Sequence, residues 1–164
     1  MKTLLTSLIQ ILSYEVELHE ELGMVLQEES KGIGRIAASE LLLLQSAKQQ
    51  ISRKISTMET RRIEVVQDIA AQWRMNPKEL TLSKIILQAP HEIGESLQHC
   101  YEQLKTIIID IQKLAISNGS LSKVRLKPIE MSLRFIADWQ KEQKTYSVAG
   151  TLQNSPEKIS RTSV

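Results

Sequence analysis

Hydrophobic residues recur along this chain at alternating spacings of three and four, which is typical of helices that pack lengthwise on other helices. The pattern predicts three long helices over about residues 3–30, 33–75 and 90–143. Gly32 and Gly34 interrupt the first connection, which is too short for anything except a reversal of the chain. A second helix of this length spans about 60 Å at a rise of ~1.5 Å per residue. The sequence therefore predicts an all-α, elongated antiparallel bundle or coiled coil of three long helices.

Each predicted helix has an apolar seam. The seam of the first helix is predicted to contain Leu4, Leu8, Ile11, Leu18, Leu22 and Val25, flanked by Leu5, Ile9, Leu12, Val16 and Leu26. The seam of the second is predicted to contain Ala37, Leu41, Leu44, Lys48, Ile51, Ile55, Met58, Arg62, Val65 and Ile69. The seam of the third is predicted to start with Ile93, Leu97, Cys100, Leu104, Ile107, Ile111 and Leu114. Lys48 and Arg62 are polar interruptions of an otherwise apolar surface.

Charge favours an antiparallel pairing of the first two helices. Residues 1–30 carry six glutamates against one lysine, whereas residues 31–75 carry eight basic side chains against four acidic ones. Exposed ion pairs contribute only a few tenths of a kcal/mol each. Charge is therefore expected to select the partner and the register, while leucine and isoleucine supply the stability.

Composition limits the classes of function. The 21 basic and 19 acidic residues give a net charge of +2, without the basic excess of a nucleic-acid-binding protein. Cys100 is the single cysteine, which excludes an internal disulfide framework, fits a reducing compartment and indicates core packing at its seam position. The longest apolar runs are too short to cross a bilayer. We therefore expect a soluble cytoplasmic protein that binds no nucleic acid and does not insert into membranes.

No motif indicates catalysis or a cofactor. His91-Glu92 begins like a zinc-protease helix, but Glu95 stands where the second histidine is needed. His19 and His99 have no ligand at metal-binding spacing. Ser120-Leu121-Ser122-Lys123 matches a serine-lysine motif in letters only, because its companion motifs are missing. We expect no enzyme activity, no metal and no cofactor.

The last part of the third predicted helix has a broad apolar surface. Pro128 removes a helical hydrogen bond and predicts a kink or break near Lys127. Two readings of this surface remain open, ordinary core packing and a platform for a helix of another protein. After residue 144 the periodicity stops, so residues 145–164 are predicted to form a flexible tail on a helical domain of residues 1–144.

Several short patterns point to one family. They are Lys48, Glu59 with Arg62, Asn118-Gly119 with Leu121, and Thr145-Tyr146 with Gly150. With these patterns the chain resembles the FlgN-type flagellar export chaperones over nearly its full length. It departs from them at Ala115 and Ser147, where the family often has asparagine and glycine.

The resemblance implies a function and a set of binding residues. It implies a cytoplasmic chaperone that binds hook-filament junction proteins, masks the helical ends through which they self-associate, and delivers them to the export gate. Tyr146 and Gly150 would dock on the cytoplasmic domain of the export-gate membrane protein. The chaperone itself would be a monomer or a weak homodimer. The residues that would bind the junction protein are Leu121, Leu126, Ile129, Leu133, Phe135, Ile136 and Trp139.

Two other functions were weighed against this one. A structural coiled-coil protein would self-associate through the same C-terminal apolar face and would form a stable homo-oligomer. An enzyme or metal-binding bundle would need inward-facing carboxylates with a Glu-x-x-His pair. None of the three histidines follows a glutamate at that spacing.

Overall fold

The described part of the chain is helical throughout. The computed structural model describes residues 1–32, 35 and 37–118. These residues form four α-helices, a short 3-10 turn and no strand, which confirms the all-α class. The helices are α1 (Lys2–Gly32), α2 (Ala38–Trp73), α3 (Leu82–Gln88) and α4 (His91–Ser117), with the 3-10 turn Pro77–Glu79 between α2 and α3.

Two predicted boundaries differ from the structure. The second helix begins at Ala38 rather than near residue 33, because Ala37 has extended backbone angles of φ −67° and ψ 153°. The connection before Pro90 contains the short helix α3, so the predicted long helices are accompanied by a fourth, short one. The described part of the third predicted helix ends at Ser117. Its continuation to residue 143, the break at Pro128 and the tail boundary lie outside the described residues.

Helix α1 lies between α2 and α4. The α1–α2 contacts pair Glu29 with Lys48 and Glu15 with Arg62, so residue numbers fall along α1 as they rise along α2. These two helices are therefore antiparallel, as charge predicted. Among the described residues, α1 packs closely against both α2 and α4, whereas α2 and α4 do not approach each other closely.

Helices α1 and α4 run parallel. Ser13 Oγ lies 3.4 Å from Cys100 Sγ, and the Asn118 side-chain amide donates to the Leu26 carbonyl at 2.8 Å. The residue numbers of these two pairs differ by 87 and 92, so contacts advance along both helices together. Cys100 is buried, which confirms its predicted place in the core.

The connection between α2 and α4 has local signals for each turn. Arg74 ends α2 in a left-handed conformation with φ 57°. The Asn76 side chain accepts a hydrogen bond from the Lys78 backbone N–H and begins the 3-10 turn, and Thr81 caps α3 in the same way. Gly94 of α4 lets α3 approach closely, because a Cβ there would lie 3.1 Å from the Ile86 carbonyl oxygen.

The buried seam of α1 differs from the predicted one. It keeps a strict alternation of three and four, through Leu5, Leu8, Leu12, Glu15, His19, Leu22 and Leu26. Leu4, Ile11 and Val25, which were predicted at the seam, are only half-buried at its edge. Leu8, Leu18 and Leu22 are buried as predicted. The predicted line was wrong at its other positions, because the buried line also passes through two polar residues.

The buried seam of α4 departs from the strict seven-residue repeat that was predicted. Its buried positions include Ile93, Leu97, Cys100, Leu104, Ile108, Ile111 and Ala115. The predicted positions Ile107 and Leu114 are half-buried. A straight helix has 3.6 residues per turn, so its buried line moves gradually away from a 3.5-residue repeat.

The seam of α2 is buried only where α1 accompanies it. Its buried residues begin at Lys48 and extend to Ile69 and Ala70, with Val66 buried rather than the predicted Val65. Ala37 and Leu41 are exposed and Leu44 is half-buried, so the first part of the predicted seam is not buried.

Candidate functional site

The residues predicted to bind other proteins are not part of the described structure. The described chain ends at Asn118, and the following residues lie beyond it: Leu121, Leu126, Ile129, Leu133, Phe135, Ile136, Trp139, Tyr146 and Gly150. Their roles therefore stay predictions. The structure shows the four helices that precede this segment in the chain.

Asn118 joins the end of α4 to α1. It caps the end of α4, and its side-chain amide donates to the Leu26 carbonyl near the end of α1. A single hydrogen bond of this kind contributes about 1 kcal/mol. The chain beyond residue 118 thus starts beside the last two turns of α1.

A charged cluster is buried between α1 and α2. Arg62 of α2 is only 4% exposed, and its Nε lies 3.4 Å from Glu15 Oε1 of α1. Its Nη2 donates to Glu59 Oε1, one turn earlier on α2, at 3.2 Å. Glu15 is fully buried and Glu59 is 3% exposed. One guanidinium thus faces two buried carboxyl groups.

Burial dominates the protonation of these carboxyl groups. Loss of water raises the pKa of Glu15 from 4.5 to about 7, and the neighbouring Arg62 opposes this shift only in part. Burial also raises the pKa of Glu59, again against the attraction of Arg62. Since like charges repel, one carboxylate and Arg62 form the ion pair most readily, and Glu15 is the group that takes up a proton near neutral pH.

His19 is the second polar residue of the α1 seam, one turn after Glu15. Its ring Nδ1 lies 2.6 Å from the Glu15 backbone carbonyl, which can only accept, so Nδ1 carries the proton. His19 is fully buried, and burial lowers its pKa. Its Nε2 has no hydrogen-bond partner among the residues that the structure describes. The ring is therefore held in its neutral form.

Lys48 of α2 and Glu29 of α1 form the second cross-helix pair. Lys48 Nζ donates to Glu29 Oε1 at 2.5 Å, and their side chains are 5% and 15% exposed. Glu29 lies fourteen residues after Glu15, and Lys48 lies fourteen residues before Arg62. Two ion pairs separated by two heptads fix the register of the antiparallel hairpin.

Four consecutive leucines surround the start of α2 and are called here the leucine patch (Leu41, Leu42, Leu43 and Leu44). Leu42 and Leu43 are 68% and 71% exposed, and Leu41 is 41% exposed. Successive residues of a helix point about 100° apart, so these four side chains lie on different sides of α2 and do not form one face.

The histidines of α4 line an open groove without forming a metal site. His91 Nε2 lies 3.4 Å from Glu95 Oε1, and both side chains are strongly exposed. His99 lies two turns along the same helix and borders the same groove. Among residues 1–32, 35 and 37–118, no group of three or more histidine, cysteine or acidic side chains is arranged to hold a metal ion. No helix in this part of the chain is long and apolar enough to span a membrane.

The predicted α2 seam contained Lys48 and Arg62, which are buried, and the sequence also contained a signal for the glutamates that pair with them. Glu15 and Glu29 have the same fourteen-residue spacing as the two cations Arg62 and Lys48. Matching spacings of opposite charge on neighbouring helices predict paired seam positions. The charge pattern groups Glu15 with the other glutamates of residues 1–30, and Glu59 enters only through the family resemblance.

Comparison with known proteins identifies one family. The family model described as FlgN protein matches residues 1–154. No curated protein and no solved structure is significantly similar to the chain. The family match extends beyond the described helices and includes every residue predicted to bind another protein.

Proposed function

This chain belongs to the FlgN family of flagellar export chaperones, and on that premise we propose that it binds hook-filament junction proteins and delivers them to the export gate. The bound chaperone prevents premature self-association of the junction protein. The observation that carries this proposal is the family match over residues 1–154. That match covers both the apolar segment of residues 121–139 and the tail positions Tyr146 and Gly150.

The described helices suit a carrier of this kind. Most large apolar side chains of α1 and α4 are used in the bundle itself, and Arg62 and Lys48 tie α2 to α1. The described helices thus bury most of their own apolar side chains, and the proposal assigns client binding to the segment after Asn118. A helical client would lay its apolar face along residues 121–139, with Phe135 and Trp139 as aromatic anchors.

Tyr146 and Gly150 have a separate role in this proposal. They follow the client-binding segment and dock on the cytoplasmic domain of the export-gate membrane protein. A binding step and a docking step on neighbouring segments allow the chaperone to hold its client until delivery. The chaperone acts as a monomer or a weak homodimer and needs no cofactor.

A titration tests the client-binding step. The full chain would be titrated with C-terminal fragments of hook-filament junction proteins, and heat of binding would be measured for wild type, Trp139→Ala and Tyr146→Ala. We expect saturable binding that Trp139→Ala weakens by roughly tenfold or more, as for an aromatic anchor worth at least about 1.4 kcal/mol. Tyr146→Ala should leave this binding unchanged, because docking is a later step.

Trp73→Phe is the matched control, since Trp73 is the only other tryptophan and packs against the core at the end of α2. It should bind the fragments as wild type does. Absence of binding to every fragment, together with a stable homo-oligomer in light scattering, would overturn the chaperone proposal in favour of a self-associating structural coiled coil.

A further inference from the structure

The hydrogen bond between Asn118 and Leu26 depends on the amide nitrogen of Asn118. Its Nδ2 donates to the Leu26 carbonyl oxygen at 2.8 Å and so joins the end of α4 to α1. A carbonyl oxygen can only accept a hydrogen bond. The bond therefore exists only while residue 118 carries a donor, which an asparagine has and an ionised aspartate lacks.

The surroundings of Asn118 also disfavour a negative charge. Its Oδ1 is buried and has no hydrogen-bond partner among the residues that the structure describes. Asn118 is the C-cap of α4, and the carbonyl end of a helix carries a partial negative charge. A carboxylate at this position would lose its bond to Leu26, place charge on a buried oxygen and face the negative end of α4.

The sequence makes this amide chemically labile. Gly119 follows Asn118, and a glycine has no side chain to hinder its own backbone nitrogen. That nitrogen can attack Cγ of Asn118. The new N–Cγ bond forms as the Cγ–Nδ2 bond breaks, and Nδ2 leaves as ammonia with the proton of the attacking nitrogen. Water then opens the five-membered ring to give aspartate or isoaspartate.

The described conformation of Asn118 opposes that ring closure. The ring contains the Cα, Cβ, Cγ and carbonyl carbon atoms of Asn118, so closure requires rotation of both its side chain and its backbone. The backbone has helical angles of φ −77° and ψ −4°, and Nδ2 is held by the Leu26 carbonyl. Ring closure therefore requires that the end of α4 first separates from α1.

From these observations we infer that Asn118 is a deamidation site controlled by the contact between α4 and α1. It is converted while its bond to Leu26 is open, and conversion prevents that bond from forming again. The modified chain keeps its helices but has a loosened end of α4. Client binding is assigned to the segment that follows, so any effect on clients rests on the proposed function, whereas the deamidation does not.

Conversion rates in the full chain test this control. The protein would be incubated at mildly alkaline pH in buffer and in urea, and mass spectrometry of its peptides would follow aspartate and isoaspartate. The two other asparagines are internal controls: Asn76 precedes Pro77, which has no backbone N–H, and Asn154 precedes the bulkier Ser155. In urea, Asn118 should be converted faster than Asn154, and Asn76 should not be converted.

In buffer we expect Asn118 to be converted at least about tenfold more slowly than in urea, because only the locally opened molecules react. Equal rates in buffer and in urea would show that the fold does not control the reaction and would overturn the inference. Absence of conversion in urea would overturn it as well, because the site would then not be labile.

The effect of conversion is tested with the variant Asn118→Asp. Asn76→Asp is the matched control, because the Asn76 side-chain oxygen accepts from the Lys78 backbone N–H and a carboxylate oxygen can accept there too. Hydrogen exchange would be measured by mass spectrometry. In Asn118→Asp we expect exchange of residues 114–117 at least about tenfold faster than in wild type, with α3 unchanged.

Asn76→Asp should leave the exchange of residues 114–117 as in wild type. Wild-type exchange of these residues in Asn118→Asp would overturn the inference that conversion loosens α4. None of these measurements uses a client, so this inference and the proposed function fail separately.

Discussion

Arg62 of α2 and Glu15 of α1 lie 3.4 Å apart, with both side chains inside the bundle. A second carboxyl group, that of Glu59, binds the same guanidinium. Taking these groups out of water costs free energy that their attraction returns only in part. The cluster is therefore better understood as a device that fixes which helices pair and in which register than as a source of stability.

Removal of Arg62 should destabilise the fold severely. Arg62→Ala leaves Glu15 and Glu59 buried without a cation, and we expect a loss of about 3 kcal/mol or more in the free energy of unfolding. Urea denaturation followed by circular dichroism measures this loss. Arg61→Ala is the matched control, because Arg61 is the exposed neighbour on the same helix and should change stability by less than about 0.5 kcal/mol. Equal losses in the two variants would contradict a buried ion pair.

Glu15 should make stability fall as pH rises. Its folded pKa of about 7 lies above the ordinary value of 4.5, so between these values the folded protein binds more protons than the unfolded chain. Its contribution is fully present below pH 4.5 and is lost as pH rises to about 7. Glu15→Gln cannot ionise, so wild type should lose stability relative to this variant over the same range, by up to about 3 kcal/mol. Urea titrations at several pH values measure it, and a pH-independent difference would show that Glu15 stays ionised.

His19 should act in the opposite direction. Its pKa is lowered by burial, so its contribution is present above pH 6.5 and is lost as pH falls below that value. His19→Leu removes the unpaired Nε2 as well, and we expect a variant about 1 kcal/mol more stable than wild type at pH 7.5. The gain should grow on acidification. His99→Leu, at an exposed position of α4, is the control and should show no such growth. A gain that shrinks at low pH would contradict a neutral buried ring.

Exchange of the second ion pair should preserve the fold. Glu29→Lys places two ammonium groups together and Lys48→Glu places two carboxylates together, so each single variant should lose about 1–3 kcal/mol. The double variant restores opposite charges at the same place and should recover most of that loss. Unfolding free energies of all four proteins give the coupling. Additive losses in the double variant would show that Lys48 and Glu29 do not interact in solution.

Much of the fold follows from apolar spacing, and the misplaced positions of α1 have one cause. Apolar spacing predicted the long helices and the burial of Cys100, and charge predicted the antiparallel pairing of α1 and α2. The α1 seam was predicted only in part, because Glu15 and His19 occupy positions that a search for apolar residues passes over. Their burial depends on Arg62 and on a carbonyl of their own helix, which are tertiary and local contacts that no single window of sequence contains.

The leucine patch illustrates a different limit. Periodicity extended the α2 seam to Ala37, but it could not show that α1 ends before reaching those leucines. The position along α2 at which α1 ends depends on the register of the two helices. The Glu29–Lys48 and Glu15–Arg62 ion pairs fix that register. The predicted client-binding residues lie beyond Asn118, so their arrangement rests on sequence and family alone.

The parallel course of α1 and α4 separates the two ends of the described chain. Met1 lies at one pole of the bundle and Asn118 at the other, about 40 Å away if α4 rises by ~1.5 Å per residue over its 27 residues. A dye, tag or surface linkage at Met1 would therefore lie far from Asn118 and would not interfere with binding there. Tethered in that way, the described helices would form a stalk with Asn118 at its far end.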